Sequence, residues 1–283
     1  MTGTRLPEFI IIGAVKAATT WIAHQLREHP DIYLPGPEPH YFSTEFARGR
    51  DWYASLFADA DAHQIVGEKS ADYLAHPEAA RRMAELLPNA RLVVQLRNPV
   101  ERAYSDYCML YRRGTVSGDP ARYLMRGGGE SGRFLEDGLY ARHLARFLDH
   151  FPREQIRVIL YDDIKDAPAR VAAEVCAHVG VTPVIALATL RARKNDSEAP
   201  LLPLGLRRMM RPLKRIVRPM RGTPWFERLR GTMARTPDYP PLTTELRAQL
   251  SDYYREDVAL LGRLIGRDMD GWLSAQPSVA TAR

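Results

Sequence analysis

Cysteine is scarce in this chain: Cys108 and Cys176 are the only two among 283 residues, and neither stands in a C-x-x-C or Cys/His pattern. A disulfide framework, a zinc site and thiol redox chemistry are therefore not expected, and both thiols read as buried helix residues. No hydrophobic run approaches the length of a membrane span. The opening residues, MTGTRLPE, lack the basic and apolar regions of an export signal, which predicts a cytoplasmic protein. No internal repeat occurs. The most informative absence is a short one: there is no Gly-Lys-Ser/Thr, so the ATP/GTP loop G-x-x-x-x-G-K-[ST] is missing. With 45% hydrophobic and 26% charged residues, the chain has a globular composition and is sized for a single domain over residues 1–283.

What is present begins at Phe9 to Trp21, FIIIGAVKAATTW. A short apolar run ends in Gly13, and Lys16 with Thr19 and Thr20 opens the next segment. Amides at a helix start are unpaired and carry partial positive charge, so with a lysine and two hydroxyls they suit a dianionic ligand. A nucleotide phosphate is the first expectation. If the turn needs a positive φ at position 18, the alanine there costs on the order of 1 kcal/mol.

Apolar runs and punctuation residues predict an alternating order. Strands are expected at Phe9–Gly13, Gln64–Gly67, Arg91–Leu96 and Ile156–Tyr161; helices at Thr19–Glu28, Pro77–Leu87, Pro99–Arg113, Leu139–Phe151 and Pro168–Val179. This predicts an α/β fold, a P-loop-like central parallel β-sheet flanked by helices on both faces. Gly114–Gly132, with three consecutive glycines, reads as a long surface loop. Ligands of such sheets lie beyond the carboxyl ends of the strands. There the chain places Lys16, then Glu68 and Lys69, then Arg97. Arg97 is followed by a proline-initiated helix and, eight residues on, by Ser105, so a guanidinium and a hydroxyl can grip a second phosphate.

The G-x-x-K-x-x-T-T-W loop resembles the 5′-phosphosulfate loop of sulfotransferases, which use 3′-phosphoadenosine 5′-phosphosulfate (PAPS) and usually carry glycine where Ala18 stands. The arginine-to-serine spacing of Arg97 and Ser105 is similar to that family's 3′-phosphate site. GEKSADYL at Gly67 to Leu74, EPHYF at Glu38 to Phe42 and GLYARHLARFLDHFPREQI resemble segments of the heparan sulfate N- and 3-O-sulfotransferases. With LSDYYREDVALL and GWL near the carboxyl end, the resemblance touches most of the chain outside roughly 201–232. It implies a PAPS-dependent sulfotransferase with no metal, acting on a hydroxyl or amine of a carbohydrate, glycolipid or other small-molecule acceptor. It also implies that Lys16, Ala17, Ala18, Thr19, Thr20 and Trp21 hold the 5′ end, that Arg97 and Ser105 hold the 3′-phosphate, and that Arg235 is a further cofactor ligand. Glu68 takes the place of the family's catalytic glutamate; a carboxylate at a strand end can face the nucleotide cleft, and Lys16 would meet the charge on the leaving phosphate. His40 is the reserve base.

Residues 201–235 hold ten Lys/Arg and one acid, Glu227, a net +9 against +6 for the whole chain. This basic, helix-spaced insertion suits an acidic acceptor or peripheral membrane contact, or else a solvated flap. With few aromatics among its cations it is not expected to bind nucleic acid, and no obligate protein partner is inferred. Two other classes remain open: a P-loop small-molecule kinase using ATP, against which the missing Gly-Lys-Ser/Thr counts, and a non-catalytic basic membrane- or polyanion-binding module.

Overall fold

The computed structural model describes residues 5–127, 132–184 and 237–274. From the amino end come strand β1 (Phe9–Gly13), helix α1 (Thr19–Arg27), the two-residue strand β2 (Ile32–Tyr33), helix α2 (Gly49–Ser55), strand β3 (Ile65–Lys69), helix α3 (Ala79–Leu86) and strand β4 (Arg91–Leu96). Helices α4 (Pro99–Arg113), α5 (Ala121–Leu124), α6 (Gly132–Glu136) and α7 (Tyr140–Leu148) lead to strand β5 (Ile156–Leu160). Helices α8 (Tyr161–Asp166), α9 (Pro168–Val179), α10 (Thr244–Ile265) and α11 (Asp270–Leu273) follow. Among the described residues the sheet has five strands in the order β2-β3-β1-β4-β5, all paired in parallel.

Both sheet faces are covered, because strands β1 and β4 carry apolar side chains on both faces as their side chains alternate. Ile10, Ile12, Val66, Leu92 and Val94 point to one face, where they meet Tyr53, Phe57, Tyr73, Tyr107, Leu144 and Tyr254. Phe9, Ile11 and Val93 point to the other, against Ile22 and Leu26 of α1 and Val171, Val175 and Val179 of α9. The expected doubly covered parallel sheet is therefore present.

Local chemistry sets the element ends. Asn98 caps α4 by accepting from the Val100 and Glu101 amides at 2.9 and 3.2 Å, Pro99 occupies the first turn, and Gly114 closes the helix at φ 74°. Buried Leu246, Leu250, Tyr254, Val258 and Leu261, spaced four and finally three residues apart, form a stripe that seats α10 on the core.

Three expectations need correction. Gly114–Gly132 is not a plain surface loop: it contains α5, whose Tyr123 and Leu124 are buried, and the Tyr107 hydroxyl donates to the Gly118 carbonyl. The β3 strand begins and ends later than expected, so Glu68 and Lys69 lie within it rather than after it. Strand β2 was not anticipated; two residues carry no periodicity to read. The basic insertion 201–235 lies outside the described residues.

Candidate active site

The turn from β1 into α1 is shaped at Gly13. Its φ is 149°, and a Cβ there would come within 2.8 Å of the Ala71 carbonyl oxygen and of Leu74 Cβ, so only glycine fits. The turn then carries two non-glycine residues in the left-handed region, Lys16 at φ 68° and Ala18 at φ 64°. Ala18 is the N-cap residue of α1 and offers no side-chain acceptor, so no side-chain cap satisfies the helix's first amides. Thr19 is buried, while Thr20, Trp21 and Lys16 are half-buried around this helix end.

Burial lowers the Lys16 pKa; Asp106 opposes that effect, and the cations Arg97 and Arg113 add to it. Lys16 and Arg97 thus share one electrostatic neighbourhood, as expected for two parts of one anion site. Arg97 is half-buried, 3.7 Å from a Glu101 carboxylate oxygen and stacked over the Tyr161 ring at 5.2 Å. Ser105 lies half-buried two turns into α4. Next to it, Asp106 is fully buried and takes two hydrogen bonds from Arg133, at 3.1 and 3.2 Å. Asp106, Arg113 and Arg133 escaped the sequence reading, because helix positions 106 and 113 carry no motif and Arg133 arrives from α6. Arg235 lies outside the described residues.

Glu68 is placed differently from the expectation that it faces the cleft. Alternation along β3 turns Lys69 to one face and Glu68 to the other, beneath the sheet surface, where its side chain is fully buried. The Tyr53 and Tyr73 hydroxyls face the carboxylate, yet none of these three groups makes a hydrogen bond of regular geometry. Burial pushes the Glu68 carboxyl up to about 8; the two tyrosines pull it down by less, while Asp72 and Glu38 raise it further.

Above this buried group lies an open cluster from two segments. Glu38 pairs with Lys69 Nζ at 2.5 Å and accepts from the Ala71 amide at 3.0 Å. His40, at φ 53°, donates its amide to Ser70 Oγ at 3.0 Å and sets Nδ1 2.7 Å from Asp72 Oδ1. Ser43 Oγ donates to the second Asp72 oxygen at 2.6 Å. The Glu38 and His40 side chains are 33% and 41% exposed, so an acceptor can reach them. Glu38, His40 and Asp72 lie within 4.8 Å of one another, close enough to ligate a cation, but the Lys69 ammonium already balances Glu38. Glu38 could have been found from Lys69, which needs a carboxylate partner on its own face of the sheet.

Comparison with known proteins adds to this geometry. The sulfotransferase family profile matches residues 49–184. A solved sulfotransferase from Alicyclobacillus acidocaldarius superposes with a TM-score of 0.71 and 27% identity, covering 95% of this chain and 99% of that one. The chain belongs to the sulfotransferase family. Within it, this sulfotransferase-family chain resembles the heparan sulfate N- and 3-O-sulfotransferase branch. It is 30% identical over 280 residues to the mouse heparan sulfate glucosamine 3-O-sulfotransferase 3B1, covering 95% of this chain and spanning 65% of that relative's length. It is also 34% identical over 187 residues to the bifunctional heparan sulfate N-deacetylase/N-sulfotransferase 1 of Caenorhabditis briggsae, covering 59% of this chain and 22% of that protein.

Proposed function

We propose that the protein transfers a sulfuryl group from PAPS to a hydroxyl or amine of a carbohydrate, glycolipid or other small-molecule acceptor. The observation that carries this reading is the side-chain-uncapped start of α1 beside a half-buried lysine that shares its surroundings with Arg97. Those residues fit a nucleotide with phosphate at both ends. The loop from Lys16 through Ala17, Ala18, Thr19 and Thr20 to Trp21 holds the 5′ end, and Arg97 with Ser105 holds the 3′-phosphate. PAPS supplies the sulfuryl group when bound. The acceptor oxygen or nitrogen bonds to sulfur as the bond from sulfur to the phosphate oxygen breaks; Lys16 stabilises the charge left on that oxygen, and a base takes the acceptor proton.

The base role falls best on the Glu38 and His40 pair. Both are open to solvent, and each is fixed by partners, Lys69 and the Ala71 amide for one and Asp72 for the other. Glu68 remains the second reading: a carboxyl held near 8 has the proton affinity of a general base at neutral pH, but its burial separates it from an acceptor.

Labelled PAPS offered with panels of carbohydrates, glycolipids and phenolic or aliphatic alcohols tests the activity. Label in an acceptor with matched release of 3′-phosphoadenosine 5′-phosphate (PAP) supports it. Transfer of the γ-phosphate of ATP without consumption of PAPS would replace it with the kinase reading. On the positive acceptor, Glu38→Gln and His40→Ala should each lower kcat by about 100-fold or more, the usual weight of a general base.

A further inference from the structure

Two arginines from neighbouring helices reach the two segments that build the open cluster. Arg82 of α3 donates through Nη1 to the Phe42 and Ser43 carbonyls, both at 3.1 Å, and its guanidinium lies over the Phe46 ring at 4.3 Å. Arg146 of α7 donates through Nη2 to the Ala75 carbonyl at 3.0 Å and to His143 Nδ1 at 2.6 Å, with the Leu74 carbonyl 3.4 Å away. His143 aims this guanidinium. It is buried, its Nε2 donates to the Glu136 carbonyl at 2.7 Å, and burial holds its pKa down to about 4, so it accepts from Arg146 as a neutral ring.

Both helices rest on the same sheet face, α3 through Ala79, Ala80 and Met83 and α7 through Tyr140, Leu144 and Phe147. The segments they hold contain neither helix nor strand over 38–43 and 70–75. One carries Glu38, His40 and Ser43; the other follows Lys69 with Ser70 and Asp72. They meet where Asp72 takes His40 Nδ1 on one oxygen and Ser43 Oγ on the other. The second segment also runs beside the phosphate turn, since the Ser70 and Leu74 amides donate to the Ile11 and Ile12 carbonyls at 3.1 and 2.8 Å. A displacement at 42–43 or 74–75 therefore changes the offset between the cluster and Lys16.

Building on the proposed role of Glu38 and His40 toward the acceptor, we propose that Arg82 and Arg146 are positioning residues for sulfuryl transfer: each clamps one segment of the cluster to the helical layer, and together they fix its offset from the phosphate turn. A guanidinium suits this task, because it stays charged and its several donors can serve more than one acceptor at once. In-line transfer tolerates little misplacement, so the support is felt in turnover.

The His40 ring reports on the clamps. A carboxylate only accepts, so Asp72 holds the His40 proton on Nδ1 while the two segments are in register. The test reads the ring nitrogens of His40 by NMR in protein with isotopically labelled histidine, at about pH 8.5, above the ordinary histidine range. The signals are assigned through their loss in His40→Gln. Wild type, Arg82→Met, Arg146→Met, Arg82→Lys and Arg146→Lys are compared, with PAP affinity measured in each. The wild type should show the Nδ1-protonated ring. Each methionine variant, which keeps an apolar stem, should shift His40 toward the mixed tautomers of a free imidazole; each lysine variant, which restores a donor, should return it toward the wild type. PAP affinity should stay within about twofold throughout. On the positive acceptor, each methionine variant should lose about tenfold or more in kcat.

An unchanged His40 tautomer in both methionine variants, lysine variants no better than methionine, or unchanged kcat overturns the proposal. So does PAP affinity that falls together with the His40 signature, which reports a general loosening. Loss of fold in one methionine variant leaves the variant on the other helix decisive, and loss of fold in both shows a purely structural role and overturns the proposal. A wild type that does not bind PAP defeats the transferase reading, whereas the His40 signature judges the clamps alone.

Discussion

Two residues of the phosphate turn hold backbone conformations that side chains disfavour. Lys16 and Ala18 both sit at positive φ, and a non-glycine residue there costs roughly 1–2 kcal/mol. Ala18→Gly removes that strain but adds freedom to the unfolded chain, worth about 0.4–1 kcal/mol in the opposite direction. The net expectation is a gain of about 0 to 1.6 kcal/mol, read as a raised urea midpoint at unchanged slope. A lowered midpoint would show that the αL backbone is not the native one. At Glu68 the sign runs the other way. Its folded pKa, about 8, lies above the reference 4.5, so between those values the native state keeps a proton that the unfolded chain has released. Its contribution to stability is complete below about pH 4.5 and is lost as pH rises to about 8, by up to about 1.4 kcal/mol per unit. Chemical denaturation from pH 5 to 8 should therefore show a slope that Glu68→Gln flattens; parallel slopes in the two proteins would contradict the buried, protonated carboxyl.

Helix α4 links the nucleotide side of the site to the rest of the fold, and its start is the element to perturb. Asn98 caps the helix and also donates through its side-chain amide to the Trp272 carbonyl, tying α11 to the strand end that delivers Arg97. Asn98→Ala should cost about 1–2 kcal/mol in stability and weaken PAP binding through Arg97, whereas Asn98→Asp, which preserves the cap, should lose less. Equal losses for both variants in a thermal melt would place the weight on the Trp272 contact instead of the cap. Elements with their own signals were legible in the sequence. β1 is a continuous apolar run, β4 and β5 are apolar apart from Arg91, Gln95 and Arg157, and α4 and α9 carry proline at the start and glycine at the end. What escaped depends on tertiary contacts: α5 is four residues long and exists because Tyr123 and Leu124 pack against α4 and α6. The end of β3 escaped because Glu-Lys looks like a strand terminus, while in the fold Tyr53 and Tyr73 cover Glu68 and Glu38 pairs with Lys69.

For the whole molecule, the parallel sheet brings the β1 turn, the end of β3 and the end of β4 to one rim, which is why residues far apart in sequence form one candidate site. Lys16 and Arg97 were legible from motif and strand position, but the Glu38, His40 and Asp72 cluster needed the crossing of two loops that no spacing encodes. Among the described residues no helix is long and apolar enough to cross a membrane. The central claim is a site for a nucleotide phosphorylated at both ends, and calorimetric titration with PAP, beside ATP and the variants Lys16→Ala and Arg97→Ala, tests it most directly. The expected result is PAP binding in the micromolar range, weak ATP binding, and at least about a tenfold loss of PAP affinity in each variant, since a hydrogen bond to a charged group is worth about 1.5–3 kcal/mol. Equal affinity for ATP, or PAP binding unchanged in both variants, would contradict it.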